Sequence, residues 1–260
     1  MASEGKTVLS YHDVLLRQSE LTILQSNQWL NDVIISFWFE YLQHEVFGEF
    51  KDVISFIAPE MVQFLKSASP EFSANGCPIS VDEIKSMLEP LQLSSKRIIF
   101  FPISDSPINS TSVDGSHWSL LVYLTQSGET NATDDSIQQS SSTTLGRFEH
   151  YDSFTGSVNH THASAVRNVM SSILITGSFL GKSEEEEDDV TTSHTLMVEM
   201  ECTQQVNGFD CGVHVLCNCE AVCRRLLMED GQHITQLASL DVIKRKRREI
   251  CVTIGTLSKT

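Results

Sequence analysis

Basic residues are scarce in this sequence. Its 260 residues include 18 Lys and Arg against 34 Asp and Glu, which gives a formal net charge of -16. Because an acidic surface repels phosphates, this balance argues against nucleic acid or an anionic membrane as the main partner. It favours a basic partner or substrate.

Long apolar runs are also missing. No stretch approaches the roughly 18 apolar residues that a membrane helix needs, and the opening MASEGKTVLSYHDVLL has no basic region followed by an apolar run. We therefore expect no secretory signal and no membrane partner, and a protein of the cytoplasm or nucleus. Seven cysteines, an odd number in a reducing compartment, argue against a disulfide framework.

Enough apolar sequence remains for a core, since 40% of the residues are hydrophobic and 13 are Phe. Helical and β-rich segments follow one another without a repeating βαβ pattern, so the sequence predicts an α+β fold. The predicted helices are 26–47, capped by Ser26 or Asn27, then 58–68, 81–91, 159–175, a helix that starts at Cys211, and 241–259. The predicted strands are 96–104, 117–125, 146–154 and 196–202.

Two polar segments interrupt this pattern. Gln126–Thr144 is rich in Ser and Thr, and about 182–195 contains an acidic run. Neither can bury enough apolar surface to order itself, so both are predicted to be flexible insertions. The strands on either side need each other, and residues 1–260 are therefore expected to form one domain.

The segment TQQVNGFDCGVHVLCNCEAVC, residues 203–223, concentrates four cysteines. Structural zinc sites usually pair ligands on turns, whereas on a helix Cys217 points about 160° away from Cys219. Four ligands would not converge, so no metal is expected. Cys217, Cys219 and Cys223 are predicted to pack as small buried hydrophobes.

Cys211 differs because it follows a turn-forming stretch and precedes Gly212 and an apolar helical run. A sulfur at a helix N-terminus lies beside unpaired N–H groups, which stabilise a thiolate. An accessible thiolate can attack a carbonyl carbon. The alternative is a core cysteine that merely starts a helix, and this segment alone leaves both open.

A nucleophile needs a base, and His214 is the local candidate, three residues along the same helix. His117 precedes a predicted strand and Asp152 ends the next one. If these strands pair antiparallel, His117 and Asp152 meet as a base and its orienting group. His150 shares a strand face with Asp152 and is a weaker candidate. Taken alone, His117 could equally be a structural histidine.

Two glutamines precede the nucleophile candidate. Gln205 lies six residues before Cys211, close enough for its amide to fold back across the turn and stabilise an oxyanion. Gln204 is adjacent and could serve equally well on composition. Either could also be an ordinary solvated side chain.

Three blocks in order, GSHWSLLVYL, HYDSF and QQVNGFDCGVHVLCNCEAVC, resemble the Ulp/SENP family of ubiquitin-like-protein cysteine proteases. The N-terminal segment VLSYHDVLLRQSELTILQSNQWLNDVIISFWFEYL resembles the deneddylase branch of that family. The resemblance covers nearly the whole chain apart from the two insertions, of which Gln126–Thr144 lengthens the stretch between His and Asp. It implies a papain-like fold.

The resemblance also implies roles for individual residues. Cys211 would be the nucleophile, His117 the general base, Asp152 its orienter and Gln205 the oxyanion donor. Trp29 and Trp118 would roof a tunnel for a Gly-Gly tail, although each could otherwise be core filler. Asp32 would face the basic tail of the modifier. The site residues that the resemblance implies are therefore His117, Asp152, Cys211, Gln205, Trp29, Asp32 and Trp118.

The implied activity is cleavage after the terminal Gly-Gly of a ubiquitin-like modifier, NEDD8/RUB by branch, from its precursor and from conjugated, cullin-like proteins. No cofactor is expected, and the enzyme is expected to be a monomer. A SUMO- or ubiquitin-directed protease, or a non-catalytic binding module, are the alternatives. The basic run Lys244–Arg248 is interpreted as a solvated helix face, with a nuclear-import signal as the alternative.

Overall fold

The computed structural model describes residues 5–72, 80–107, 115–125, 146–176 and 195–259. The predicted insertions fall outside these ranges, except for Thr195. The helices and strands are β1 (Thr7–Tyr11), β2 (Val14–Arg17), α1 (Gln18–Leu24), α2 (Asp32–Tyr41), β3 (Ile54–Phe56), α3 (Pro59–Ala68), α4 (Val81–Leu88), β4 (Ile98–Ser104), β5 (Trp118–Leu124), β6 (Arg147–Tyr151), α5 (Asn159–Thr176), β7 (Met197–Glu199), α6 (Cys211–Leu227), α7 (Ile234–Leu237) and α8 (Leu240–Leu257).

A mixed five-stranded sheet forms the centre, in the order β3-β4-β5-β6-β7. The two outer pairs are parallel and the two inner pairs are antiparallel. Alternate residues of β4 enter different cores: Phe100 packs with α2, α6 and α8, whereas Phe101 packs with α3, α4 and α5. Helices therefore cover both faces of the sheet, and the α+β class predicted from the sequence is confirmed.

The start of α2 differs from the prediction. The helix begins at Asp32 rather than near residue 27, and Asn31, not Ser26 or Asn27, is its N-cap. The Asn31 side chain accepts a hydrogen bond from the N–H of Ile34 at 3.1 Å, which satisfies one of the unpaired donors of the first turn. Residues before Asn31 are thereby left outside the helix, and Trp29 lies in this non-helical segment.

Several elements gave no clear signal in the sequence. The hairpin of β1 and β2, the short helix α1 and the edge strand β3 were not predicted. They are only three to seven residues long, too short for a hydrophobic period to stand out. No helix within the described ranges is both long and apolar enough to cross a membrane.

Helix α6 is buried along most of its length, including Cys217, Cys219 and Cys223. The prediction that these three cysteines pack in the core is confirmed. Burial raises the pKa of the Cys217 and Cys219 thiols, which keeps them protonated and unreactive. In the part of the chain that the structure describes, no cluster with metal-ligand geometry contains a cysteine.

Candidate active site

Cys211 is the first residue of α6, and the loop before it is fixed by its own side chains. The Asn207 side-chain oxygen accepts hydrogen bonds from the N–H groups of Phe209 and Asp210, at 3.1 and 3.0 Å. Such an Asx turn sets the direction in which the chain enters the helix. Cys211 therefore lies at a helix N-terminus, as the sequence predicted.

Close packing holds the same helix end in place. A Cβ added to Gly212 would come within 3.0 Å of the Leu30 side chain. Glycine at this position lets the start of α6 approach the segment that carries Trp29. The small size of Gly212 therefore allows Cys211 and the segment that carries Trp29 to lie close together.

His117 and Asp152 meet because β5 and β6 pair antiparallel. Leu120 lies opposite Tyr151, so the start of β5 is beside the end of β6. The His117 Nε2 and Asp152 Oδ1 atoms are 2.7 Å apart. The strand pairing expected from the sequence is present, and it places a carboxylate on one ring nitrogen of His117.

Asp152 is held by further donors. The N–H of Phe154 donates to its Oδ1 at 2.9 Å, and the Ser157 hydroxyl donates to its Oδ2. Burial alone would raise the pKa of Asp152, but the hydrogen bonds from His117, Ser157 and Phe154 outweigh it and lower that pKa. Asp152 is therefore a carboxylate at neutral pH with a fixed orientation.

The pKa of His117 is shifted in the opposite direction. Burial disfavours its charged form, yet hydrogen bonds to Asp152 and to Cys211 raise the pKa to about 9. Since Nε2 is bonded to Asp152, Nδ1 is the nitrogen that remains for Cys211. At neutral pH this geometry favours an imidazolium between the sulfur of Cys211 and the carboxylate of Asp152.

The other two histidine candidates have different environments from His117. His214 is buried, and burial lowers its pKa to about 4. His150 bonds through Nδ1 to Glu199 at 2.8 Å and through Nε2 to the Ser119 hydroxyl at 2.9 Å. Both ring nitrogens of His150 are therefore occupied away from Cys211.

The two glutamines have different hydrogen-bond partners. The Ser153 hydroxyl donates to Gln205 Oε1 at 3.0 Å, and the Gln205 N–H donates to the Ser153 carbonyl. Gln205 and His117 line the same groove, so the NH2 group of Gln205 is the candidate oxyanion donor. Gln204 is occupied at both ends, because it donates to the Asp152 carbonyl at 3.0 Å and accepts from Thr155.

A groove of about 630 Å3 contains both predicted tryptophans. The Trp118 Nε1–H donates to the Leu30 carbonyl at 3.0 Å, and the Trp29 Nε1–H donates to the Gly208 carbonyl at 2.5 Å. Trp29 is half-exposed, so it is not core filler. We call this space, which also reaches Asn31, Gly208 and Phe209, the tryptophan groove.

Asp32 does not line the tryptophan groove, although its neighbour Asn31 does. It is the first residue of α2, and its Oδ1 accepts from the N–H of Val33 at 3.0 Å. A carboxylate in the first helical turn is favoured by the helix dipole. Its placement is next to the groove rather than in its wall.

A second groove, of about 600 Å3, lies beside the first and shares Gly208 with it. His117 and Gln205 line it, together with residues of the loop after β6 and the loop before α6. We call it the histidine groove. Its further lining residues are Asp105, Ser116, Phe154, Gly156, Ser157, Val158, Val206 and Asn207.

Sequence reasoning missed the role of Asn159. This fully buried residue donates through Nδ2 to the His117 carbonyl and to the Ser119 hydroxyl, at 3.4 and 3.1 Å. It thus fixes the backbone at the start of β5, where His117 lies. Its position as the first residue of a predicted amphipathic helix was the only local signal.

The basic run Lys244–Arg248 is not simply a solvated face, so that interpretation is wrong in part. Lys246 is only 1% exposed and its Nζ bonds to Glu220 and Glu249, both at 2.8 Å. Arg247 pairs with Asp210 at 2.8 Å. Long apolar stems allow such residues to cross apolar surface and place their charge beside a carboxylate.

Arg247 joins the two sides of the tryptophan groove. Besides Asp210, its guanidinium donates to the carbonyls of Ile23, Gln28 and Phe209, at 3.1, 2.7 and 3.2 Å. The fixed fork of an Arg side chain suits several acceptors at once. Helix α8 therefore contacts both the segment before Trp29 and Phe209, which precedes the N-cap residue of α6.

A cysteine at a helix N-terminus, beside a histidine that is oriented by a carboxylate, defines a cysteine protease of the papain-like kind. Residues 28–253 match the Ulp1 protease family, C-terminal catalytic domain. The chain belongs to this family and is a cysteine protease of the Ulp1 type. Proteases of this family act on ubiquitin-like modifiers.

Curated relatives and solved structures agree with this assignment. The chain is 36% identical to human sentrin-specific protease 8, over 97% of this chain and 98% of that protein. It is 29% identical to NEDD8-specific protease 1 of Arabidopsis thaliana, over 85% of this chain and 77% of that protein. A solved structure of the SUMO protease Ulp1 shares the fold, with a TM-score of 0.59, 17% identity and coverage of 100% and 91%.

Proposed function

We propose that this protease cleaves after the C-terminal Gly-Gly of NEDD8/RUB, both in the modifier's precursor and in its isopeptide bond to lysine. The placement of Cys211, His117 and Asp152 supports the chemistry. The names of two relatives that match most of the chain, sentrin-specific protease 8 and NEDD8-specific protease 1, support the choice of modifier.

The reaction begins with the sulfur of Cys211, whose proton His117 already holds as an imidazolium. The thiolate attacks the carbonyl carbon of the terminal glycine. The negative charge moves to the carbonyl oxygen, where the NH2 group of Gln205 and the backbone N–H of Cys211 stabilise it. Oxyanion donors of this kind are typically worth about 3 kcal/mol each.

Collapse of this intermediate breaks the carbon–nitrogen bond. The departing lysine amine takes the proton that His117 carries, and a thioester to Cys211 remains. Water, deprotonated by His117, then attacks the thioester, and the thiol leaves with a proton returned from His117. Asp152 keeps the imidazolium oriented during both transfers. No metal or organic cofactor enters these steps.

The modifier's tail would lie in the tryptophan groove. Trp29 and Trp118 are each tied by an Nε1–H bond to backbone on the opposite side of the groove. A residue with a Cβ would meet these rings, whereas Gly-Gly can pass. Asp32, next to this groove, and the net charge of -16 would favour a basic segment of the modifier.

An electrophile on the modifier tests the proposal. NEDD8, SUMO and ubiquitin, each carrying an electrophilic group at the terminal glycine, are incubated with the protein, and adducts are resolved by mass. We expect the fastest adduct with NEDD8, its loss in Cys211→Ala and its retention in Cys251→Ala, which removes a cysteine outside both grooves. No adduct with any of the three would refute the mechanism and favour a non-catalytic binding module. Faster labelling by SUMO or ubiquitin would refute the choice of modifier alone.

A further inference from the structure

Three large apolar side chains are exposed together in the histidine groove. Phe154, Val158 and Val206 are 54%, 62% and 72% exposed, and all three line this groove. The first two come from the loop after β6 and the third from the loop before α6. Isolated exposed apolar residues need no explanation, but a cluster beside a catalytic histidine marks an interaction surface.

The loop that presents Phe154 and Val158 is fixed rather than free. The Phe154 N–H donates to Asp152, the Ser157 N–H donates to the Phe154 carbonyl at 3.2 Å, and Thr155 donates to Gln204. The Phe154 ring lies edge-on to His117, with centroids 5.9 Å apart. These apolar side chains therefore keep a defined position next to the proton donor of the reaction.

Polar groups of the histidine groove are largely committed within the protein. Asp105 accepts from the N–H and hydroxyl of Ser116, both at 2.6 Å, and from the N–H of His117 at 2.9 Å. The Asn207 side chain bonds to Asp210. The surface of the groove that remains for another molecule is chiefly apolar. Binding there is stabilised when apolar groups of that molecule are buried against it.

The two grooves would hold the parts of the substrate on either side of the scissile bond. The modifier's tail occupies the tryptophan groove, and the carbonyl reaches Cys211 and Gln205. The leaving nitrogen must be within reach of His117, which lines the histidine groove and not the tryptophan groove. The chain attached to that nitrogen therefore continues into the histidine groove.

From this placement we infer that Phe154, Val158 and Val206 form a docking surface for the leaving group: the lysine-bearing segment of the conjugated protein, with an apolar side chain next to the lysine. The inference rests on the proposed function, because it assumes that an isopeptide bond lies between the two grooves. It adds a preference for conjugated proteins that have an apolar residue next to the modified lysine, which recognition of the modifier alone does not provide.

Three isopeptide substrates test this surface. In each, the modifier's terminal glycine is joined to a lysine Nε: that of free lysine, of a peptide with leucines beside the lysine, and of the same peptide with serines there. The enzymes are the wild type, Val158→Ser, Val206→Ser and Val252→Ser. Val252 is the matched control, since it is 61% exposed on α8 and lines neither groove.

We expect the wild type and Val252→Ser to cleave the leucine peptide with a kcat/KM about fivefold above that of the serine peptide, as for the partial burial of one apolar side chain. Val158→Ser and Val206→Ser should bring this ratio close to one. A wild-type ratio of one, or a loss of the ratio in Val252→Ser, would overturn the docking surface. So would variants at 158 and 206 that lower all three rates equally.

The same measurement distinguishes failure of the docking surface from failure of the proposed function. Release of free lysine by the wild type, without any peptide preference, would overturn only the docking surface. Failure to release even free lysine from any modifier would overturn the proposed function, and the docking surface with it.

Discussion

Replacing Asp152 by Asn should move the alkaline limit of activity to lower pH. Asp152 Oδ1 accepts from both His117 and Phe154, and Oδ2 accepts from Ser157. The amide oxygen of Asn can take the first position. Its NH2 group can donate to the Ser157 hydroxyl, which rotates. The substitution therefore removes the charge while it preserves the hydrogen-bonded geometry.

The magnitude follows from the pKa of His117, which is about 9 against an ordinary value of 6.5. Asp152 and Cys211 both raise it, and the contribution of Cys211 persists in Asp152→Asn. We expect the pKa to fall by about 1 to 2 units. At pH 8 the imidazolium fraction would then drop from about nine-tenths to between about one-half and one-tenth, and kcat/KM with it.

The sign is set by the raised pKa. The imidazolium and its ion pair are fully formed below the ordinary value of 6.5, and they are lost as the pH rises through about 9. Activity of the wild type and the stabilisation by this pair should both decline over that upper window. Asp152 has a lowered pKa, so its part is lost at the acid end, as the pH falls through that lowered value.

The assay is the initial rate of tail cleavage from NEDD8 between pH 6 and 10. Glu199→Gln is the matched control, because it removes the carboxylate from His150 instead of His117 and should keep the wild-type profile. An unchanged alkaline limb in Asp152→Asn, or an equal shift in the control, would contradict the role given to Asp152 in raising the pKa of His117.

Three further predictions concern single residues. Cys211→Ser should abolish turnover with an unchanged melting temperature, whereas Cys217→Ser should retain activity and lower the free energy of unfolding by about 1 to 3 kcal/mol, since it buries a hydroxyl group without a partner; thermal scans and rates distinguish these, and the reverse pattern would contradict both assignments. Gln205→Ala should lower kcat by about 10²- to 10³-fold with little change in KM; a loss confined to KM would assign Gln205 to substrate binding. Arg247→Lys should raise KM more than it lowers kcat, because a lysine cannot reach all four acceptors that hold the tryptophan groove; Arg248→Lys, an exposed position on the same helix, is the control, and equal effects of the two would refute a positioning role.

Much of the framework follows from local sequence. The hydrophobic periods of α3, α5 and α8 and the β-rich runs of β4, β5 and β6 are local properties, and each predicted segment corresponds to an observed element. The start of a helix at Cys211 is also local, because a turn-forming stretch and an apolar helical run specify it on either side. Residues near one another in the chain carry these signals.

The partners of Cys211 were decided by tertiary structure. His214 is three residues away, but burial lowers its pKa to about 4, whereas Asp152 and Cys211 raise that of His117. His117 is 94 positions away in the sequence, and the antiparallel register of β5 and β6 places it beside Asp152. Sequence order suggested that register, yet only the packed sheet fixes which ring nitrogen meets the carboxylate. The basic run on α8 shows the same limit, since its composition cannot tell a solvated lysine from Lys246.

Local sequence thus specified the order of the longer elements, the helix that begins at Cys211 and, through its three motif blocks, the kind of chemistry. The tertiary structure decided where α2 begins, that Arg247 joins the two sides of the tryptophan groove, and that apolar side chains gather beside His117. The physical reason is distance along the chain. Periodicity and caps act over a few residues, whereas burial, ion pairing and groove formation depend on segments up to 224 residues apart, as in the bond from Arg247 to Ile23.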